Sequence, residues 1–182
     1  MHSQKMTFDH YHIRLLELSD LDAYYKMVST NRERLEDFFT GTTSRTKTYA
    51  DTKMFLAEML ERTERREYFP YLILDTKTND IVGFLDLKNV DWNIPKTEMG
   101  LYIDEAYAGK GISLRAFKLF CKHCFDTYNF RKLFLRTHSE NHPARAIAEK
   151  AGFKNEGTIR CDYKTTKGEL VDLIYYGKLN DD

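Results

Sequence analysis

The hydrophobic pattern of the chain changes period after residue 66, and this change constrains the fold more than any other feature. Up to that point apolar residues recur mostly at helical spacing, and a long charged helix is predicted over residues 49–66. Beyond it come apolar runs of strand length, bounded by turn residues, at 68–74, 81–90 and 98–103. The sequence therefore predicts helices followed by a sheet, which is a mixed α/β fold.

Shorter elements complete the predicted order. Before residue 66 we expect a first strand over 12–18, a helix capped by Ser19 and Asp20, a short helix over 31–39, and a polar loop over 40–44. After residue 103 we expect a helix beginning near residue 112, a strand over 131–136, a helix from Asn141 to Gly152, and strands around Ile159 and 170–176. The strand–helix–strand unit over 98–136 is predicted to be parallel.

Length and charge limit the protein class. The 182 residues predict one domain over 1–182, and 28 basic against 28 acidic residues give no net charge, which argues against a nucleic-acid coat. No apolar run reaches the roughly 18 residues of a membrane span. Three cysteines cannot all pair, which suits a reducing compartment. We expect a cytoplasmic protein, monomeric or homodimeric, with no nucleic-acid or membrane partner.

A glycine-bearing loop, Ala108-Gly109-Lys110-Gly111, stands between a predicted strand and a predicted helix. Backbone N–H groups and the positive end of a helix bind anions at such a junction, and glycine lets a ligand approach the backbone. A bare turn or helix cap is the alternative explanation. Residues 108–150 contain nine lysines and arginines against three acidic residues, which favours a polyphosphate ligand for this part of the chain.

Two common phosphate motifs do not fit this loop. A dinucleotide fingerprint needs a third glycine at position 114, which is Leu114. A nucleotide P-loop ends in Gly-Lys-Ser/Thr, whereas Gly111 is followed by Ile112 and Ser113. Neither ligand class is predicted.

Residues 98–105 and 108–113 together resemble motif A of the GNAT family of N-acetyltransferases, and residues 141–153 resemble its motif B. The tail at 156–160 with Val171 and Asp172 is most similar to the RimJ/RimL-type branch, which acetylates the N-termini of ribosomal proteins. The resemblance covers nearly the whole chain. It implies a GNAT-like fold, with a central, largely antiparallel sheet, one parallel strand pair around the cofactor, and flanking helices.

The resemblance also implies acetyl-coenzyme A as co-substrate, without a metal. The pantetheine would run along the strand at Leu101, Tyr102 and Ile103. The pyrophosphate would lie on the loop residues Ala108, Gly109, Lys110, Gly111, Ile112 and Ser113. Further cofactor contacts are assigned to Asn141, Arg145 and Lys150. The chain departs from the family at Ala108, usually Gln or Arg, and at Ser113, usually Gly or Ala, but backbone donors do not depend on side chains.

Acetyl transfer to an amine requires deprotonation of the amine and stabilisation of the oxyanion. Glu98 is the candidate base, since some family members carry a glutamate there; a solvated or lysine-paired glutamate is the alternative. The two positions where relatives often carry an acid are Ala144 and Ala148. Tyr163, or else Tyr102, is the candidate replacement, and solvent assistance is the alternative.

The function predicted from the sequence is acetyl transfer to a primary amine, such as a protein N-terminus, a peptide or a small-molecule amine. The early helices and the final hairpin are expected to build the acceptor pocket. A catalytically weak acyl-coenzyme A-binding or sensory module is the alternative, because both alanines stand where relatives carry an acid.

Overall fold

The computed structural model describes residues 6–182 of the chain. Within these residues one sheet contains eight strands: β1 (Met6–Phe8), β2 (Tyr11–Leu15), β3 (Phe69–Asp75), β4 (Ile81–Asp91), β5 (Lys96–Ile103), β6 (Lys132–His138), β7 (Lys154–Lys164) and β8 (Leu170–Leu179). The same part of the chain forms six α-helices: α1 (Leu21–Thr30), α2 (Arg32–Glu36), α3 (Thr40–Ser44), α4 (Tyr49–Glu64), α5 (Ile112–Tyr128) and α6 (His142–Lys150).

The strands lie in the order β1-β2-β3-β4-β5-β6-β8-β7. Every neighbouring pair is antiparallel except β5 and β6, which are parallel, so the predicted sheet is confirmed. The β5–β6 pairing covers only Lys96–Glu98 against Lys132–Phe134, although both strands continue beyond it. The two strands therefore separate in the middle of the sheet.

Apolar side chains fill both sides of this sheet. On one side α5 and α6 cover a core that includes Phe117, Phe120 and Leu133. On the other side α1 and α4 pack on a second cluster, where Tyr24 and Leu56 are fully buried. Full burial of such a side chain stabilises the fold by about 1.5–3 kcal/mol. Cys121 and Cys124 belong to the first core, as the helical spacing of the sequence predicts.

The predicted polar loop at 40–44 is wrong, because these residues form the short helix α3. The side chain of Arg32 donates to the carbonyl groups of Thr43 and Thr46, which supplies the acceptors at the end of α3 with a partner from α2. This contact comes from another element, so the local sequence does not reveal it.

The predicted start of α1 also needs correction. The carboxylate of Asp20 does not cap α1 but accepts two hydrogen bonds from the Arg14 guanidinium, at 2.7 and 2.8 Å. Residues Leu18–Asp20 form a 3-10 turn, so the predicted strand over 12–18 ends at Leu15. The sequence pattern also did not indicate β1.

Among residues 6–182, no helix is both long and apolar enough to cross a membrane.

Candidate active site

The cleft between β5 and β6 exposes backbone groups of β5. The amide of Asp104 donates to the carbonyl of Val82 at 2.9 Å, in register with the β4–β5 ladder. Residues of an antiparallel strand alternate in the direction of their N–H and C=O groups. Tyr102 therefore bonds to β4, whereas Leu101 and Ile103 direct their backbone groups toward the side where β6 has separated.

Tyr102 lies outside this cleft. Its ring stacks on Phe84 with 5.0 Å between the centroids, and its hydroxyl donates to the hydroxyl of Tyr24 at 3.1 Å. Burial raises the pKa of Tyr102 well above its usual range, and the neighbouring Tyr24 adds to this effect. Of the three β5 residues predicted to line the cofactor, only Leu101 and Ile103 present their backbone to the cleft.

The glycine loop follows β5 and leads into α5. Gly109 and Gly111 have φ angles of +75° and +73°, in the left-handed region that favours glycine. A Cβ atom on either would meet nothing within 4 Å, so the backbone is open to a ligand. Gly111 is the N-cap of α5, and the first N–H groups of a helix, here including those of Ile112 and Ser113, have no intrahelical acceptor.

Two basic side chains, those of Arg115 and Lys110, donate to backbone carbonyl groups of this loop and of the turn before it. The guanidinium of Arg115 donates to the carbonyls of Lys110 and Gly111 at 3.3 Å each, which ties up acceptor groups of the loop. Lys110 folds back onto the preceding turn, where its ammonium donates to the carbonyl of Ala106 at 2.8 Å. The side chain of Ala108 is exposed. Free N–H groups, bound carbonyls and a nearby lysine fit a diphosphate.

The second helix of the site begins at the same edge of the sheet, because it follows the strand that runs parallel to β5. The side chain of Asn141 accepts from the amide of Ala144 at 3.3 Å and so caps α6. Arg145 donates to the carbonyl of Ser139 at 3.0 Å. The structure therefore places Asn141 and Arg145 at the cleft edge where the glycine loop also lies.

Lys150 lies elsewhere. It is at the opposite end of α6 from Asn141 and lines a groove with Lys118, Lys122 and Lys178, a groove that contains no residue of the glycine loop. The basic residues of 108–150 are thus divided between several places rather than gathered around one ligand.

Glu98 is the last β5 residue paired with β6, and its side chain lies on the α1–α4 side of the sheet. It is 3% exposed. Its two carboxylate oxygens accept from the Arg136 guanidinium at 3.1 and 3.0 Å, one also accepts from Asn89 at 2.6 Å, and the ammonium of Lys88 lies 3.7 Å away. Glu98 is therefore engaged on both oxygens.

Tyr163 lies on β7, far from Glu98 in sequence. Its hydroxyl donates to the hydroxyl of Thr40 at 2.6 Å and accepts from the amide of the same residue at 3.1 Å. The contact joins the final hairpin to α3. Of the two alanines in α6, Ala144 is half-buried and Ala148 fully buried.

The sequence reasoning missed Arg136, Asp162 and Tyr175. Arg136 donates to Glu98 and, at 3.2 Å, to Asp162, which also accepts from the Tyr175 hydroxyl at 2.8 Å. Burial opposes the charge of Arg136, but the hydrogen bonds and charge of Glu98, together with Tyr175, outweigh burial and raise the pKa of Arg136. Because side chains alternate along a strand, Arg136 lies on the face opposite Leu133 and Leu135, which belong to the α5–α6 core. The sequence therefore indicates the face on which Arg136 lies but does not reveal its partners.

Among residues 6–182, no three His, Cys, Asp or Glu side chains are grouped so that they could hold a metal ion.

Comparison with known proteins agrees with this fold. Residues 11–154 match the Acetyltransferase (GNAT) domain. The Bacillus subtilis (strain 168) protein named "Putative ribosomal N-acetyltransferase YdaF" is 28% identical over 179 residues, covering 94% of this chain and 92% of that protein.

Two solved structures share the fold. Ribosomal-protein-S5-alanine acetyltransferase from Vibrio fischeri superposes with a TM-score of 0.90 at 23% identity, covering 98% of both chains. RimL, a ribosomal L7/L12 alpha-N-protein acetyltransferase solved in complex with coenzyme A, gives a TM-score of 0.91 at 18% identity, covering 98% of this chain and 99% of that one. With the domain match spanning most of the sequence, the chain belongs to the GNAT family and is an acetyltransferase.

Proposed function

We propose that this enzyme transfers the acetyl group of acetyl-coenzyme A to the N-terminal amine of a protein. One observation supports acetyl-coenzyme A as the donor: β5 separates from β6 beyond Glu98, beside a glycine loop at the start of α5. The relatives support the acceptor, because YdaF and RimL are both named as acetyltransferases of ribosomal proteins.

Backbone groups would hold most of the donor. Leu101 and the N–H of Ile103 would bind the pantetheine as an added strand does, since the carbonyl of Ile103 already accepts from Arg34 at 3.2 Å. Gly109 to Ser113 would bind the pyrophosphate. Bound acetyl-coenzyme A would supply a thioester, an acyl group already activated toward amines. The N–H of Leu101, directed into the cleft, is the candidate donor to the developing oxyanion.

Side chains would shape the acceptor side. An open groove runs between α2, α3 and the β7–β8 turn, lined by residues such as Arg32, Glu36, Thr40 and Thr166. The polar side chains among them would hydrogen-bond to an extended peptide segment. The N-terminal amine would enter the cleft from this side.

Glu98 and Tyr163 remain the polar groups assigned to this reaction, with roles that follow from their contacts. Protonation of Glu98 would break its paired hydrogen bonds with Arg136, so we assign it to holding Arg136, and solvent to accepting the proton of the amine. Tyr163 is assigned to fixing the acceptor wall through Thr40.

The test is acetylation of three probes followed by mass spectrometry: an alanine-initiated peptide, a serine-initiated peptide and spermidine. We expect acetyl transfer to at least one peptide at its N-terminus, and none to the same peptides with a blocked N-terminus. Transfer to spermidine alone would contradict the acceptor. Binding of acetyl-coenzyme A without transfer to any probe would favour the alternative, an acyl-coenzyme A-binding module.

A further inference from the structure

A row of polar side chains crosses five neighbouring strands on the α1–α4 side of the sheet. In spatial order it consists of Lys88 on β4, Glu98 on β5, Arg136 on β6, Tyr175 on β8 and Asp162 on β7. The contacts are continuous, since Lys88 and Arg136 both reach Glu98, and Tyr175 and Arg136 both reach Asp162. The row runs from β4, across the candidate donor-binding strand β5, to β7 at the outer edge of the sheet.

Arg136 is the centre of this row, and it lies where the backbone ladder stops. The last β5–β6 pair is Glu98 with Phe134, and Arg136 is two residues further along β6. From there its guanidinium reaches back to Glu98 with two hydrogen bonds and forward to Asp162 with one. A bidentate ion pair of this kind fixes both side chains in one geometry.

Asp162 reaches Arg136 because of a bulge in β7. Ile159 faces Leu173 and Tyr163 faces Val171, so β7 advances four residues where β8 advances two. Cys161, inside the bulge, has a φ angle of +53°, and its amide donates to Asp172 at 2.9 Å. Bulges of this kind redirect side chains and are frequent beside functional sites.

The part of the hairpin beyond Leu173 has few other supports, because the β6–β8 ladder ends at the pair of His138 with Leu173. β7 is the edge strand of the sheet, and most of its residues are exposed. Its first half is tied to β6 by Lys132 and Glu156, at 2.6 Å. From the bulge onward, the side-chain hydrogen bonds between β7 and elements outside the hairpin are those of Asp162 with Arg136 and of Tyr163 with Thr40.

We infer that Arg136 is a positioning residue for acceptor binding: anchored by Glu98, it holds the β7–β8 hairpin in place as a wall of the acceptor cleft. This inference rests on the proposed function, in which the hairpin borders the incoming peptide. It predicts that Arg136 affects the KM for the amine and leaves the binding of acetyl-coenzyme A alone.

The test compares Arg136→Gln with Lys132→Gln, a matched control that removes the other ion pair between β6 and β7. Hydrogen–deuterium exchange of the free protein reads the hairpin directly, whether or not an acceptor is known. We expect faster exchange over residues 159–171 in Arg136→Gln and in Asp162→Asn, and unchanged exchange there in Lys132→Gln. Unchanged exchange in both Arg136→Gln and Asp162→Asn would overturn the inference.

Steady-state kinetics with the alanine-initiated peptide measure the effect of Arg136 on acceptor binding. Loss of a charged hydrogen bond predicts a KM for the peptide raised about tenfold in Arg136→Gln, with the dissociation constant of coenzyme A unchanged. Guanidinium ion added to Arg136→Ala should restore part of the activity, which would not follow from a merely unstable protein. Equal changes in peptide KM and coenzyme A binding would overturn the link between Arg136 and the acceptor. A wild type that is inactive on every probe would contradict the proposed function, and the exchange result alone would then decide the role of Arg136.

Discussion

The donor side and the acceptor side of the cleft are built from different parts of the chain. On the donor side, backbone groups of β5 and of the loop before α5 make the candidate contacts, all within residues 101–113. On the acceptor side, the candidate contacts are side chains from α3 and five strands, from Thr40 to Tyr175. The donor site therefore depends on local conformation, and the acceptor site depends on strand register and long-range ion pairs.

This difference explains how each side tolerates substitution. The loop departs from the family at Ala108 and Ser113, yet the φ angles of Gly109 and Gly111 still leave its backbone open. On the acceptor side, by contrast, loss of a single charged partner leaves a buried carboxylate at Glu98. Breaking a buried ion pair from one side is more costly than removing an exposed one.

The largest effect is expected from Gly111→Asp on the donor side. The new carboxylate would stand where the ligand's anion binds, and like charges in contact cost several kcal/mol, so coenzyme A should bind about 100-fold or more weakly. Isothermal titration calorimetry measures this. Gly168→Asp is the matched control, because Gly168 has a φ angle of +84° in the β7–β8 turn and carries the same backbone strain away from the loop. Unchanged affinity in Gly111→Asp would remove the loop from the donor site.

The next effect is expected from Glu98→Gln on the acceptor side. A hydrogen bond to a charged group contributes about 1.5–3 kcal/mol, so kcat/KM for the peptide should fall about tenfold or more while the affinity for coenzyme A is retained. The pH dependence of kcat/KM separates two roles for Glu98. If it only anchors Arg136, the acid limb of the profile stays in the variant; loss of that limb would instead make Glu98 the base.

A third prediction compares two neighbouring positions of α6, which borders the cleft. Ala148 is fully buried, so Ala148→Tyr should overpack the core and destabilise the protein by about 1–3 kcal/mol. Ala144 is half-buried, so Ala144→Ser should fold normally and should keep or raise turnover by restoring a hydroxyl. Thermal unfolding and steady-state rates measure both. A stable Ala148→Tyr variant would show that α6 can move away from the sheet.

The smallest effect concerns the core under the donor side. Burial lowers the pKa of His123 on α5, and the nearby Asp126 offsets this only in part. The unfolded chain then takes up a proton more readily than the folded protein, so the free energy of unfolding falls as pH drops below about 6.5. The decrease in melting temperature from pH 7.5 to pH 5.5 should be smaller in His123→Gln than in the wild type. His142→Gln, at an exposed position, should behave as the wild type; equal behaviour of the two variants would contradict the prediction.

Much of the architecture followed from the sequence, for identifiable reasons. The change from helical to alternating spacing indicated α4, β3, β4 and β5 to within a few residues, because each buries an apolar face whose period is set by its own backbone. The failures lie where a contact comes from another element. Arg32 binds a carbonyl group of the helix at 40–44, and the Asp20 carboxylate binds Arg14 instead of capping α1.

The sequence by itself determined the conformation of the candidate donor half of the site, because glycines at 109 and 111 followed by a helix start leave backbone N–H groups open to an anion. Only the tertiary structure decided the acceptor half. Glu98 could be read from the chain as a free base, but its partner Arg136 lies 38 residues away and Asp162 a further 26, brought together by a parallel strand pair and a bulge. Backbone conformation is fixed by neighbouring residues, whereas side-chain pairing across strands is fixed by register, which no local sequence pattern specifies.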